Sequence, residues 1–154
     1  FFAFMATVFI TAPNIVPPLP DVDEAGQQCP DQRGWWFSRQ DEYFNAHDKS
    51  TCAKGYQQSL EVITNAFREQ GPFDGVLGFS QGASMLSLLC GLQQHQGQEC
   101  PFHFDFAIFV AGFKSRSEGH RHLYDDLIQI PTLHVYGETD KVIEKGKLDR
   151  FPPH

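Results

Sequence analysis

The fold is decided by one stretch near the middle of the chain, Phe73-Asp74-Gly75-Val76-Leu77-Gly78-Phe79-Ser80-Gln81-Gly82-Ala83. Its mostly apolar first part predicts a short buried strand over residues 73–79. The leucine-rich sequence that follows predicts a buried helix over residues 83–92. The order strand, tight turn, helix, with a serine in the turn, matches the G-x-S-x-G nucleophile elbow.

The residue types of this turn suit a nucleophilic serine. A serine at a sharp strand-to-helix turn is held in a strained backbone conformation, and flanking glycines let the chain pass close to itself. The turn also places the N–H of Gln81 at the positive end of the following helix, where it can donate to an oxyanion. We predict Ser80 as the nucleophile and Gln81 as an oxyanion-hole donor. The alternative is a Gly-Ser-Gly turn with no chemistry.

The sequence on either side of this stretch alternates strands and helices. Residues 50–70 predict a helix whose apolar stripe faces a sheet, and residues 123–130 predict a short helix. Residues 4–11, 104–113 and 131–137 predict further buried strands. Because these strands are apolar at nearly every position, we predict an α/β fold with a mostly parallel sheet and helices on both faces.

Composition narrows the possible functions. A length of 154 residues fits one domain, and a net charge of −7 without a long basic run argues against nucleic-acid binding. The first apolar run is too short to span a bilayer. The four cysteines show no CxxC spacing, which favours reduced thiols in a cytosolic protein. The His-x-His pair near residue 120 is only a weak metal signal, so we predict no metal site.

A serine nucleophile of this kind needs an acid and a histidine, which follow it in the chain order Ser, Asp or Glu, His. Two carboxylates, Glu138 and Asp140, lie just after the third predicted strand, at the sheet edge that also carries Ser80. We predict Asp140 as the acid in preference to Glu138. The alternative is that both residues only decorate a turn and cap a helix.

No histidine is well placed as the base. The one that follows Asp140 is His154, at the end of the sequence. His120 and His122 are expected in a surface loop, and His134 is expected to be a hydrogen-bonded histidine of the sheet. The sequence therefore predicts a nucleophile and an acid but no convincing base.

Three blocks of the chain resemble a known family: residues 33–38 (RGWWFS), 71–83 (GPFDGVLGFSQGA) and 134–143 (HVYGETDKVI). They are similar to the serine hydrolase family that includes the fungal family serine hydrolases and the ovarian cancer-associated protein 2 esterase. The resemblance implies an α/β-hydrolase fold and hydrolysis of carboxylic esters with long alkyl chains, without a metal or organic cofactor. By position it implies Ser80 as the nucleophile and Asp140 as the acid.

The chain departs from the family at both ends. A first strand with a glycine-containing loop, and a histidine well beyond the acid, have no counterpart here, so we expect a fold incomplete at both ends and impaired catalysis. We assign residues 1–146 to the hydrolase domain and 147–154 to a divergent tail.

Two other functions stay open. One is a non-catalytic module that binds a lipid or a protein, its acyl pocket walled by Trp35 and Trp36. The other is an acyl thioesterase, because the Gly-Phe-Ser-Gln-Gly elbow also resembles that of acyl-protein thioesterases. The expected partner is a small-molecule ester in the cytoplasm, or also in the nucleus, and the sequence specifies no protein partner.

Overall fold

The centre of the molecule is a parallel sheet of three strands, seen in a computed structural model that describes residues 6–17 and 31–137. In chain order the elements are β1 (Asn14–Ile15), β2 (Arg33–Gly34), α1 (Tyr56–Gln70), β3 (Gly75–Phe79), α2 (Gln81–Gln96), β4 (Phe106–Val110) and β5 (Thr132–Val135). Short 3₁₀ helices lie at Gly97–Glu99 and Glu118–Tyr124. The predicted helix at 83–92 and strands at 73–79, 104–113 and 131–137 are confirmed, with different bounds.

The sheet has the order β3-β4-β5, and both neighbouring pairs run parallel. Leu77 is level with Ile108, which is level with Leu133. Helix α2 makes the crossover from β3 to β4, as parallel pairing requires. β1 and β2 form a separate antiparallel pair of two residues each. The predicted α/β fold with a parallel sheet is confirmed.

The core lies on the face of the sheet that packs against α2. This helix buries an unbroken run from Ala83 to Gly91, because it is enclosed by the sheet and by the 3₁₀ helix at Glu118–Tyr124. Helix α1 adds Ile63 and Phe67 to the same core, and the Phe67 ring contacts the rings of Phe73, Phe102 and Phe104.

The opposite face of the sheet is exposed among the described residues. Side chains alternate along a strand, so Leu77 and Phe79 of β3 share one face with Leu133 and Val135 of β5. Their exposed fractions are 63%, 67%, 55% and 45%. We call these four residues the open sheet face.

In the first half of the chain one prediction is wrong, and one helix is confirmed with a later start. Residues 6–11 of the predicted strand at 4–11 form no strand, and Phe9 is 90% exposed. No described strand runs beside this segment, and an extended chain without a neighbour gains no ladder hydrogen bonds. The helix predicted over 50–70 begins only at Tyr56, because Gly55 before it has a left-handed φ of 85°.

The short helix predicted over 123–130 is also misplaced. The turn of 3₁₀ helix ends at Tyr124, and its buried side chains are His120 and Leu123. The prediction that His120 lies in a surface loop is therefore wrong. Its side chain faces the core, and the residue is 3% exposed.

Candidate active site

Ser80 occupies a strained turn between β3 and α2. Its φ of 52° and ψ of −118° lie where non-glycine residues are rarely found. Its N–H donates to the Val110 carbonyl at 2.9 Å, so the turn is tied to β4. A Cβ at Gly78 would lie 2.5 Å from the Gly82 carbonyl oxygen, closer than any side chain allows. The glycine at this position lets strand and helix approach each other.

The first turn of α2 presents backbone donors beside Ser80. The Ser84 N–H donates to the Ser80 carbonyl at 3.1 Å, which makes Ser80 the residue at the helix start. The N–H groups of the next three residues, Gln81 to Ala83, have no carbonyl one turn earlier within the helix. They carry the positive end of the helix dipole, which favours an oxyanion at this point.

The side chain of Gln81 bridges to a second segment of the chain. Its Oε1 accepts a hydrogen bond from the Trp35 N–H at 2.8 Å, and its Nε2 donates to the Trp36 carbonyl at 2.7 Å. Both ends of the amide are thus used. The residue that follows Ser80 therefore fixes the backbone of Trp35 and Trp36 against the turn.

The two tryptophans have different environments. Trp36 is 2% exposed and packs edge-on against the rings of Phe44, Tyr56 and His120, so it belongs to the core. Trp35 is only half-buried, and its Nε1 lies 3.2 Å from where a Cβ on Gly82 would be. Of the two indoles, only that of Trp35 lies against the Ser80 turn with surface left exposed.

Two buried polar residues hold the Trp35 backbone from the other side. The Ser59 hydroxyl donates to the Trp35 carbonyl at 2.6 Å. The Asn14 amide nitrogen lies 2.9 Å from the Gly34 carbonyl oxygen and 3.1 Å from that of Trp35. Sequence reasoning missed Asn14, Ser59 and the Gln81 side chain, because their spacing in the chain gives no sign that they meet.

No histidine of the described residues hydrogen-bonds to the Ser80 hydroxyl. His120 Nδ1 lies 2.8 Å from the Ser115 hydroxyl oxygen, and its ring packs 4.3 Å from that of Tyr56. His134 lies in β5, stacked on Phe109 at 4.9 Å, with its Nε2 3.2 Å from the Thr132 hydroxyl oxygen. The sheet position predicted for His134 is confirmed.

Burial shifts the titration of several groups in the core. It lowers the pKa of His120 to about 4, and the neighbouring His122 adds to this shift. It raises the pKa of Tyr124 to about 12, although the Ser87 hydroxyl partly opposes the shift. It also raises the pKa of the Cys90 thiol to about 12. These groups are uncharged near neutral pH and contribute to the packing of the core.

The predicted acid, Asp140, lies outside the described residues, as do Glu138 and His154. Over residues 6–17 and 31–137, no three His, Cys, Asp or Glu side chains are grouped so that they could hold a metal ion. None of the helices in the same ranges is both long and apolar enough to cross a bilayer.

An open groove of about 470 Å³ is lined by polar and charged side chains, namely Ser38, Arg39, His47, Asp48, Lys49, Ser50 and Arg116. Arg39 pairs with Asp48 at 2.8 Å and holds the pKa of that carboxyl below its usual range. Ser80 does not line this groove.

Comparison with known proteins identifies relatives over nearly the whole chain. A family model described as "Serine hydrolase (FSH1)" matches residues 4–151. Esterase OVCA2 of Xenopus tropicalis is 45% identical over 98% of this chain and 64% of its own length. Esterase CG5412 of Drosophila melanogaster is 43% identical over 90% of this chain and 48% of its own length. Human Esterase OVCA2 is 38% identical over 88% of this chain and 63% of its own length. The chain thus spans less than two thirds of the length of each of these relatives.

Proposed function

The chain belongs to the FSH1 serine hydrolase family, and from this membership we propose that its chemistry is the hydrolysis of carboxylic esters at Ser80. The observation that carries the proposal is the Ser80 backbone, with a φ of 52° and a ψ of −118° at the start of α2. A strained serine beside free helix donors is the arrangement that acyl transfer to a serine uses.

In the proposed reaction the Ser80 oxygen attacks the ester carbonyl carbon while its proton passes to a general base, a role that none of the described histidines is placed to fill. The negative charge that develops on the carbonyl oxygen is stabilised by the Gln81 N–H. The carbon–oxygen bond to the alcohol then breaks, the alcohol takes the proton, and an acyl-serine is left. Water cleaves this ester by the same steps and returns the proton to Ser80. We propose Asp140 as the acid that orients the base.

We further propose that the substrates carry long alkyl chains and that turnover by this chain alone is slow. The resemblance in the three blocks supports the alkyl preference. The slow turnover is supported by the described histidines, none of which bonds to the Ser80 hydroxyl. Loss of the base of a serine triad costs about 10⁶ in rate, while donors and binding alone retain about 10³ to 10⁴ over water.

Hydrolysis of p-nitrophenyl esters from acetate to decanoate tests this proposal. We expect a weak activity that rises with chain length, at least about 10³-fold below the roughly 10 s⁻¹ of a typical enzyme. The part of this activity that passes through an acyl-serine should be lost in Ser80→Ala, which keeps only the rate that the donors and binding supply. Hydrolysis as fast in Ser80→Ala as in the parent chain would contradict the proposal, and a rate of typical size would contradict the impairment.

A binding module is the second candidate, favoured by the partly exposed Trp35 beside a serine that no described histidine contacts. Binding of an alkyl ligand without any Ser80-dependent hydrolysis would favour the binding module.

A thioesterase can be distinguished from an esterase by comparing oxygen and sulfur esters of the same acyl chain. It should cleave the sulfur ester of an acyl chain much faster than the oxygen ester, whereas an esterase should not.

A further inference from the structure

We infer that Trp35 is the substrate-contacting wall of the Ser80 site and that the Gln81 side chain is the residue that positions it. This inference rests on the proposed function, because it assigns the part of the site that receives the alkyl chain. Gln81, the residue after the nucleophile, then has two roles. Its backbone N–H donates to the oxyanion, and its side-chain amide holds Trp35 in place.

The Trp35 backbone is fixed at both its polar atoms. Its N–H donates to Gln81 Oε1 at 2.8 Å, and its carbonyl accepts from the Ser59 hydroxyl at 2.6 Å. Ser59 is fully buried, at 0% exposure. A backbone held by hydrogen bonds on both sides, one of them from a fully buried hydroxyl, has little freedom to move, so the indole position is set before a ligand arrives.

The two adjacent indoles lie in different environments. Trp36 is buried in the core and anchors the segment, whereas Trp35 is only partly buried and its Nε1 lies beside Gly82, two residues after Ser80. A partly exposed indole on a rigid segment offers apolar surface at low entropic cost. Its distance from the reacting serine is set by Gln81, which contacts both the turn and the tryptophan backbone.

Position 81 requires a side chain with both a hydrogen-bond donor and an acceptor at its tip. The amide must accept from the Trp35 N–H and donate to the Trp36 carbonyl at 2.7 Å at the same time. Glutamine has one acceptor and one donor group at its tip, and an ionised carboxylate has no donor. A residue chosen only for its backbone N–H would not need this pair of contacts.

The test uses 1-octanol, a neutral alkyl ligand, and the complete chain in a Ser80→Ala background so that no covalent step occurs. The chain has only two tryptophans, and Trp36 is buried. Acrylamide quenching of fluorescence therefore reports chiefly on Trp35 without any further substitution. Octanol should lower the quenching constant at least twofold. An unchanged quenching constant would overturn the inference.

Calorimetry of octanol binding with matched variants completes the test. Trp35→Ala should weaken binding about tenfold, the loss expected for one apolar contact surface. Trp35→Phe should weaken octanol binding less. Because it keeps an aromatic ring, it can still be measured if Trp35→Ala fails to fold. Leu133→Gln, on the open sheet face, should change it less than twofold. Equal affinity in Trp35→Ala, or a loss confined to Leu133→Gln, would overturn the inference.

Two variants of Gln81 test its positioning role. Gln81→Met keeps the length but removes both hydrogen bonds, so octanol binding should weaken several-fold and Trp35 should be quenched more easily without ligand. Gln81→Glu can replace the amide only when its carboxyl is protonated. Its affinity relative to the parent chain should therefore recover between pH 7.5 and pH 5. Two variants that bind octanol like the parent at both pH values would overturn the role of Gln81.

The outcome is independent of whether Ser80 is a nucleophile. Failure of the proposed function would appear as no Ser80-dependent hydrolysis, with octanol binding still sensitive to Trp35. Failure of this inference would appear as octanol binding that does not change when Trp35 is substituted, even if Ser80 is acylated.

Discussion

At Ser80 the strain of a single residue is held in place by its glycine neighbours. The Ser80 N–H bond to Val110 fixes the end of β3, and the absence of a side chain at Gly78 lets α2 start at once. The backbone conformation of the serine is thus imposed by contacts on both sides of it. Such strain persists only where the surrounding structure determines it.

Substitution of Gly78 should therefore destabilise the protein. In Gly78→Ala the new Cβ meets the Gly82 carbonyl at 2.5 Å and the Ala83 Cα at 2.7 Å. We expect a loss of about 1–3 kcal/mol in the free energy of unfolding, measured by urea denaturation. Gly119→Ala is the matched control, since its nearest neighbour would be 4.0 Å away. Equal stability of the two variants would contradict this reading of the turn.

His120 should make stability depend on pH. Burial lowers its pKa from 6.5 to about 4 in the folded protein. Between these values the unfolded chain binds a proton that the folded chain does not, so the free energy of unfolding should fall as pH falls from about 6.5 to about 4. The full effect is about 3 kcal/mol.

Urea denaturation across this pH range measures the effect. His120→Phe removes the titrating group but keeps a ring against Tyr56 and Trp36, so its stability should change less with pH than that of the parent chain. His103→Phe, at an exposed position, should keep the parental slope. A His120→Phe variant with the same slope as the parent would show that another group is responsible.

At the scale of elements, local patterns predicted the sheet strands and the buried helix but not what depends on distant partners. Leucines on every side of 83–92 were enough to indicate α2, because a helix makes its own hydrogen bonds. Residues 4–11 have an equally apolar pattern, but a strand also needs a neighbour, which no pattern within it reveals. The start of α1 depended on the backbone of Gly55, which residue spacing does not show.

In the candidate site, too, local sequence patterns predict some features, whereas others depend on residues that are distant in the chain. Ser80 and the Gln81 backbone follow from a local motif, whereas the Gln81 side chain meets Trp35 across 46 residues of sequence. Similarly, His120 was predicted to be exposed because its sequence neighbours are polar, although Tyr56 and Trp36 cover it. Contacts between segments far apart in the chain decide these environments.

The short β1–β2 pair should depend on the buried Asn14. Its amide nitrogen lies within hydrogen-bond distance of the Gly34 and Trp35 carbonyls. In Asn14→Ala the buried Gly34 carbonyl loses its side-chain donor, and we expect a loss of about 1–3 kcal/mol in the free energy of unfolding. Asn65→Ala, on the exposed side of α1, is the control and should cost much less. Comparable losses in the two variants would argue against a structural role for Asn14.

At the scale of the whole molecule, the open sheet face is unusual, because both faces of a parallel sheet are normally covered by other elements. Large exposed apolar patches are unusual on monomers and favour association. We therefore expect the purified chain to self-associate as its concentration rises.

Light scattering over a concentration series tests this expectation. Leu133→Lys places a charge on the open sheet face and should shift the chain towards monomer. Leu127→Lys is the matched control, because Leu127 is 57% exposed but lies outside the strands. A parent chain that stays monomeric at every concentration, or an equal effect of both substitutions, would contradict the expectation.

The central claim is that Ser80 is the reacting serine of this family member, and covalent labelling tests it most directly. The purified chain is treated with an alkyl fluorophosphonate, and intact and peptide masses locate the adduct. The account predicts one adduct, on Ser80, that forms slowly and is lost in Ser80→Ala. An adduct on another residue, or none in a folded sample, would contradict it.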